Sequence, residues 1–265
     1  MRTYTYGPFQ SRRLGLSLGI NVLSAHKLCT YNCVYCEIGL TKKENLFSSE
    51  FRIRIPPTHK YRKELKSILT YFPHLNSITF GYNGEPTLNE HLLDFLNIAK
   101  EVRSELTWES KKPRLTLFTN SSTLQFDDIR DRVKEFELVL AKIDAGIDDD
   151  YKRTNRPHYN TSKVETLITS LIKLKQEMPP EHKLAIQCLV FNSYEKDFVA
   201  NNNVQNIEEI AQALKRIKPD IVQVYSIARI PAEYFVYAIS EERKKEIAKI
   251  FKSIVNDNNV DIKCY

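Results

Sequence analysis

Three thiols within eight residues, Cys29-Thr-Tyr-Asn-Cys33-Val-Tyr-Cys36, are the part of this chain best suited to chemistry. Spaced by three residues and then two, they are close enough for one loop to aim all of them at a single inorganic centre. Three ligands leave one corner vacant. A structural zinc site normally takes four protein ligands, whereas a cubane iron–sulfur cluster held by three thiolates keeps one iron open to an outside ligand. His26 lies three residues before Cys29, so a Cys3His zinc site is the alternative on ligand count. A disulfide framework fits poorly: the start MRTYTYGPFQSRR is polar and basic with no secretory apolar run, and five cysteines are too few and too uneven. Reduced thiols in a cytoplasmic protein are the expectation.

The elements that must position this loop alternate. After a turn-rich N-terminal extension, residues 1–16, the apolar run Leu18 to Leu23 reads as the first strand, which puts the cysteines at a strand's carboxyl end. A helix follows from Thr58 to Tyr71. The unit then repeats: Ser77–Gly81 as strand and Asn89–Leu106 as a helix capped by Asn89; Arg114–Thr119 and about 126–136; Leu138–Ile143 and Ser162–Gln176. Leu184–Val190 with Asn206–Ile217, and Ile221–Ser226 with Ser240–Val255, complete six β/α units over residues 17–256. Residues 257–265 form a short C-terminal strand or tail around Val260–Cys264.

Unbroken alternation implies a parallel sheet with right-handed crossovers. Six units are two short of a closed eightfold barrel. The expected fold is therefore α/β, a partial (β/α)6 TIM-like barrel of parallel strands with the cluster at its C-terminal face, and a single domain over 1–265. A doubly wound open sheet has the same element order and stays open. No apolar run approaches the roughly 18–20 residues of a membrane span, so no membrane is expected. The net charge of +6, from 39 basic and 33 acidic residues, favours an anionic partner only weakly, because much of it lies in helix-face runs such as Glu241-Glu-Arg-Lys-Lys-Glu246.

Together, the cysteine loop and the strand ends resemble the radical SAM superfamily. The spacing Cys29-x3-Cys33-x2-Cys36 is that family's signature, with Tyr35 in the aromatic position before the last cysteine. The resemblance implies a [4Fe-4S] cluster on Cys29, Cys33 and Cys36 whose open iron is chelated by S-adenosylmethionine. Reductive cleavage of that cofactor yields a 5′-deoxyadenosyl radical that takes hydrogen from a substrate. It also implies an electron donor such as flavodoxin or ferredoxin. Gly81-Tyr-Asn83-Gly84-Glu85-Pro86 looks like the family's Gly-Gly-Glu motif, with Asn83 in place of the first glycine. There Glu85 would meet the cofactor's ammonium; a plain Asn-Gly turn is the bland reading. Thr119-Asn120-Ser121-Ser122 is similar to the Thr-Asn-Gly segment, so that Asn120 and Ser122 would face the cofactor or, on the bland reading, cap a helix. Lys142 and Asp144 alternate to one side of the fourth strand, where Asp144 suits a ribose hydroxyl and a salt bridge is the other reading.

Gln187, Gln223, Tyr225, Arg229 and Arg12 are the expected substrate-pocket residues, with Arg229 or Arg12 holding an anionic group. Parity puts Gln187 and Cys188 on opposite faces of the fifth strand; Cys188 reads as buried and apolar, Cys264 as a surface thiol. Within the superfamily the chain is most similar to the group that includes the wyosine-synthesising tRNA enzymes, through Tyr6-Gly-Pro8, Ser11-Arg12-Arg13-Leu-Gly15 and Ala141-Lys142-Ile-Asp144-Ala145. Those enzymes carry further cysteines before the signature for a second cluster, and this chain has none before Cys29. The readings carried forward are a single-cluster radical SAM enzyme acting on a small molecule or peptide, a tRNA-modifying enzyme, and a non-enzymatic iron–sulfur or zinc protein.

Overall fold

A computed structural model describes residues 2–23 and 25–265. Its main sheet has eight strands: β1 (Thr5–Ser11), β2 (Gly15–Ile20), β3 (Ser77–Phe80), β4 (Arg114–Thr119), β5 (Leu138–Lys142), β6 (Lys183–Leu189), β8 (Ile221–Tyr225) and β10 (Asp261–Cys264). They lie side by side in that order, parallel from β2 to β10. A doubly wound sheet reverses its strand order part-way, sending helices to both faces. No such reversal occurs here. The winding is that of a barrel, and with β1 and β10 as free edges the barrel remains open.

The helices are α1 (His59–Tyr71), α2 (Leu92–Ser104), α3 (Asp127–Val133), α4 (Asp148–Asn155), α5 (Val164–Glu177), α6 (Val204–Ile217) and α7 (Glu241–Val255). On α1, Tyr61, Leu65 and Leu69 recur every four residues and are buried against the sheet. Strand parity divides the two cores. On β6, Leu184, Ile186 and Cys188 face the helix-side core, whereas Ala185 packs inside the barrel with Leu138, Leu140 and Leu14. Among the described residues no helix is long and apolar enough to cross a membrane.

Four features depart from expectation. The N-terminal extension contains β1, which pairs antiparallel with β2, so the first strand of the sheet precedes the one expected at Leu18–Leu23. Asn89 does not cap α2, whose N-cap is His91; its buried amide instead donates to the Val22 and Ile55 carbonyls. Helix α4 was not foreseen, because only Tyr151 among its large apolar side chains is buried and the rest of its stretch reads as charged loop. Strands β7 (Phe191–Ser193) and β9 (Val236–Ala238) form a separate antiparallel ribbon, each too short to show a period of its own. The terminal stretch, by contrast, joins β8 as the last parallel strand.

Candidate active site

The cysteine loop leaves the carboxyl end of β2 and is fastened by main-chain hydrogen bonds from several sides. Leu28 donates to the Asn83 carbonyl at 2.8 Å and accepts from Glu85 N at 2.9 Å, so the Asn83-Gly84-Glu85 stretch pairs with the residue just before Cys29. Cys29 donates to Asn45 and accepts from Phe47, and Asn32 and Val34 donate to the end of α4. From below, Val34 and Tyr35 pack on Phe191, Phe235 and Val236 of the β7–β9 region. One position beside the loop requires glycine. Gly84 has φ +124°, and a Cβ there would stand 1.7 Å from the Leu28 carbonyl oxygen.

All three cysteines are free and line one cleft of about 640 Å³ at the carboxyl ends of the strands. Each sulfur has its own nitrogen neighbour: Asn120 Nδ2 lies 3.5 Å from Cys29 Sγ, Asn155 Nδ2 3.5 Å from Cys33 Sγ, and Lys27 Nζ 3.1 Å from Cys36 Sγ. Donors so placed stabilise thiolate over thiol. Against them, burial first and the neighbouring thiol second push Cys29 up to about 12 and Cys33 up to about 11. Such sulfurs ionise when a metal takes the proton's place. Among the described residues no three His, Cys, Asp or Glu side chains are set to hold one metal ion.

Glu85 is fully buried and already engaged. Its Oε1 accepts from Thr87 N, Thr87 Oγ1 and Thr119 Oγ1, and its Oε2 accepts from Asn120 N at 2.6 Å. Three donors crowd one oxygen and one meets the other, so the remaining acceptor capacity of the carboxylate lies on Oε2. Burial outweighs these donors and raises its pKa. Asn120 donates to Thr30 Oγ1, and Ser122 is buried with its hydroxyl 2.7 Å from that of Thr30. The segment does not cap a helix, since α3 begins at Asp127. It ties the end of β4 to the cysteine loop. Asn83 lies beside the cleft, with its carbonyl engaged by Leu28 N.

Asp144 lies two residues beyond Lys142, the last residue of β5, and the two side chains pair at 3.4 Å. Asp144 is buried behind the cleft wall, where it accepts from Tyr35 Oη, from Asn155 Nδ2 at 3.2 Å and from Leu189 N at 2.9 Å. The Lys142 ammonium donates to Tyr225 Oη at 2.8 Å and sits 4.6 Å from the centre of the Tyr35 ring. Burial opposes its charge, but Asp144 and Tyr225 prevail and raise its pKa. Asn201 and Asn206, with no chemical signal in the sequence beyond a polar run, both donate to the Asp144 carbonyl and hold this strand end in place.

The expected pocket residues divide. Gln187, Tyr225, Arg229 and Arg12 line the cleft. Gln223 is turned into a buried pair with Gln187, 2.8 Å apart. Arg229 stands at the exposed rim in an ion pair with Glu37 at 2.9 Å. Cys188 is in the helix-side core, and Cys264, on the last strand and away from the cleft, donates weakly to the Lys244 carbonyl of α7. Arg13, which follows Arg12 in the Ser11–Gly15 stretch and is not among the expected pocket residues, enters the cleft and lies 4.4 Å over the Tyr225 ring.

No family model matches the chain. Among solved structures it is similar to SuiB of Streptococcus suis bound to S-adenosylmethionine, at TM-score 0.59 and 13% identity over 91% of this chain and 48% of that one. It is also similar to TYW1 with a lysine–pyruvate adduct bound, at TM-score 0.55 and 15% identity over 89% of this chain and 73% of that one. The open parallel barrel is thus the fold of the radical SAM enzymes. The chain is 29% identical to GTPase Obg of Brachyspira hyodysenteriae over 94% of its own length, but spans only 33% of that protein. A UPF0026 protein of Synechocystis matches at 30% identity over 83% of this chain and 73% of its own. On that match, the chain belongs to the UPF0026 protein family.

Proposed function

We propose that the chain is a radical SAM enzyme with a single [4Fe-4S] cluster on Cys29, Cys33 and Cys36. The observation that carries the reading is the convergence of three free thiols, each with its own nitrogen donor, on one cleft at the carboxyl ends of parallel strands. The donor set fits such a group: three free thiols on one cleft leave a coordination place vacant. When bound, the cluster and S-adenosylmethionine would supply one electron and a carbon-centred radical that takes a hydrogen atom from substrate. The chain's part is to hold and exclude. Asn120, Asn155 and Lys27 donate to the sulfurs, which is how a protein tunes such a centre. Glu85 Oε2 would accept from the cofactor's ammonium, and Lys142 and Tyr225 add polar groups to the cleft lining.

The test is anaerobic purification with iron and sulfide quantified, followed by reduction in the presence of S-adenosylmethionine. About four irons with matching sulfide and release of 5′-deoxyadenosine are expected. A protein that retains zinc, or iron without cofactor cleavage, belongs to the non-enzymatic reading. A wyosine-type tRNA-modifying role is the second reading, favoured by the likeness to TYW1 over 89% of this chain. Two observations stand against it. Cys188 and Cys264 lie on different elements away from the cleft, so they do not supplement a second cluster. The cleft's lysine, Lys142, is paired with Asp144 and donates to Tyr225, contacts that favour its charged form, whereas an amine must be neutral to form a carbonyl adduct.

A further inference from the structure

The geometry points to Arg13 as the anchor for an anionic group, a carboxylate or a phosphate, on the substrate of this cleft. The inference rests on the reading that the cleft performs a reaction, and adds the class of molecule it acts on. β1 runs against β2, and Ser11 pairs with Gly15, so the turn that carries Arg12, Arg13 and Leu14 lies at the amino ends of the parallel strands. Leu14 packs inside the barrel against Leu138, Leu140 and Ala185. The turn therefore closes the barrel from beneath, at the end opposite the cysteine loop. From there Arg13 reaches up to stack on Tyr225, with its guanidinium carbon 4.4 Å from the ring centre. Its Nη1 is buried and has no hydrogen-bond partner.

An arginine that serves the fold alone has a different environment. Buried Arg130 meets Glu177, Asp127 and the Leu124 carbonyl. Arg13 has no ion-pair partner among the described residues, and a buried donor left unpaired costs free energy until something fills the place. Two other cations of the cleft are ion-paired, Lys142 with Asp144 and Arg229 with Glu37, and Lys27 donates to Cys36 Sγ and the Gly39 carbonyl. Among the described residues Arg12 and Arg13 have no carboxylate partner. A planar fork of N–H donors facing a cavity matches a carboxylate or phosphate edge, held deep in the barrel with the rest of the molecule extending toward the cysteines.

The test is calorimetric titration of the full chain, purified anaerobically, with sodium phosphate and separately with sodium succinate at constant ionic strength. Saturable binding of at least one anion is expected, and which of the two binds distinguishes phosphate from carboxylate. Arg13→Gln should weaken it by about tenfold or more, the loss typical of a charge-assisted hydrogen bond, with Arg13→Lys intermediate because it keeps the charge without the fork. Thermal unfolding of each variant shows that the loss is not misfolding. Equal binding by Arg13→Gln, or no saturable binding by the wild-type chain, overturns the assignment while leaving cofactor cleavage untouched as a separate result. Displacement of the anion by S-adenosylmethionine would also overturn it, by reassigning Arg13 to the cofactor's own carboxylate.

Discussion

A carboxylate that accepts four hydrogen bonds from its own chain is first of all a fastener. Glu85 joins the end of β3 to the end of β4 through Thr119 and Asn120, and substitution separates this role from any contact with a cofactor. Glu85→Ala leaves the buried Asn120 N–H without a partner and should lower unfolding free energy by about 2–4 kcal/mol, measured by denaturant titration. Glu85→Gln keeps one acceptor oxygen but turns an NH2 toward the Thr87 or Asn120 N–H, so it should lose part of that stability and also weaken S-adenosylmethionine binding. Unchanged affinity in that variant removes Glu85 from the cofactor's site. For the sulfurs, alanine at Cys29, Cys33 or Cys36 should abolish both the visible cluster absorbance and cofactor cleavage, while Cys188→Ala should retain them. An intact chromophore in all three loop variants would refute the ligand set.

At the scale of elements, the cysteine loop is a passenger on its neighbours. Gly84 lets the chain pass under Leu28, and the Gly84→Ala methyl group would meet the Leu28 carbonyl at 1.7 Å. Main chain cannot yield cheaply there, and the left-handed φ adds strain. The variant should lose thermal stability together with iron retained after gel filtration; native iron content would show that the loop moves independently of β3. A second element has its own pH dependence. Glu64 on α1 accepts from the main-chain N–H groups of Thr3, Tyr4 and Thr5, fixing the start of β1. Burial opposes the charge, but these donors prevail and hold the carboxyl below its usual value of 4.5. A depressed folded-state pKa means that the stabilisation is present above about 4.5 and fades as pH falls through the lower folded value. Protection of the β1 amides relative to intrinsic exchange should therefore fall below about pH 4.5 in the wild type, and Glu64→Gln should show the reduced protection already at about pH 7.

On the scale of the whole molecule, an open barrel carries a site whose supports come from both of its ends. Strands β2 to β6 are buried on both faces and exchange main-chain hydrogen bonds in continuous register, so they should hold without any inorganic centre. Loop 27–47 and the end of α4 have no ladder of their own and lean on one another. Removing the cluster by oxidation and chelation should accordingly raise hydrogen exchange in residues 27–47 and 144–158 and leave β3 to β6 protected. Global loss of protection would show instead that the centre is needed for the sheet itself.

Local pattern in the sequence was enough for the cysteine spacing, the strand and helix succession, and the parity that set Gln187 and Cys188 on opposite faces, because each is a property of residues a few positions apart. Contacts between distant segments decided the rest. Whether the alternating units wound one way or two depended on strand neighbours. The partner of Tyr35 is Asp144, and the support beneath the cysteine loop is a ribbon that pairs Phe191 with Ala238. Arg12 and Arg13 are indistinguishable as letters, yet only the latter reaches Tyr225, since the hairpin turn points it inward. Pairings across such separations leave no periodic trace along the chain; they exist only once the loops are closed and the side chains compete for the same interior.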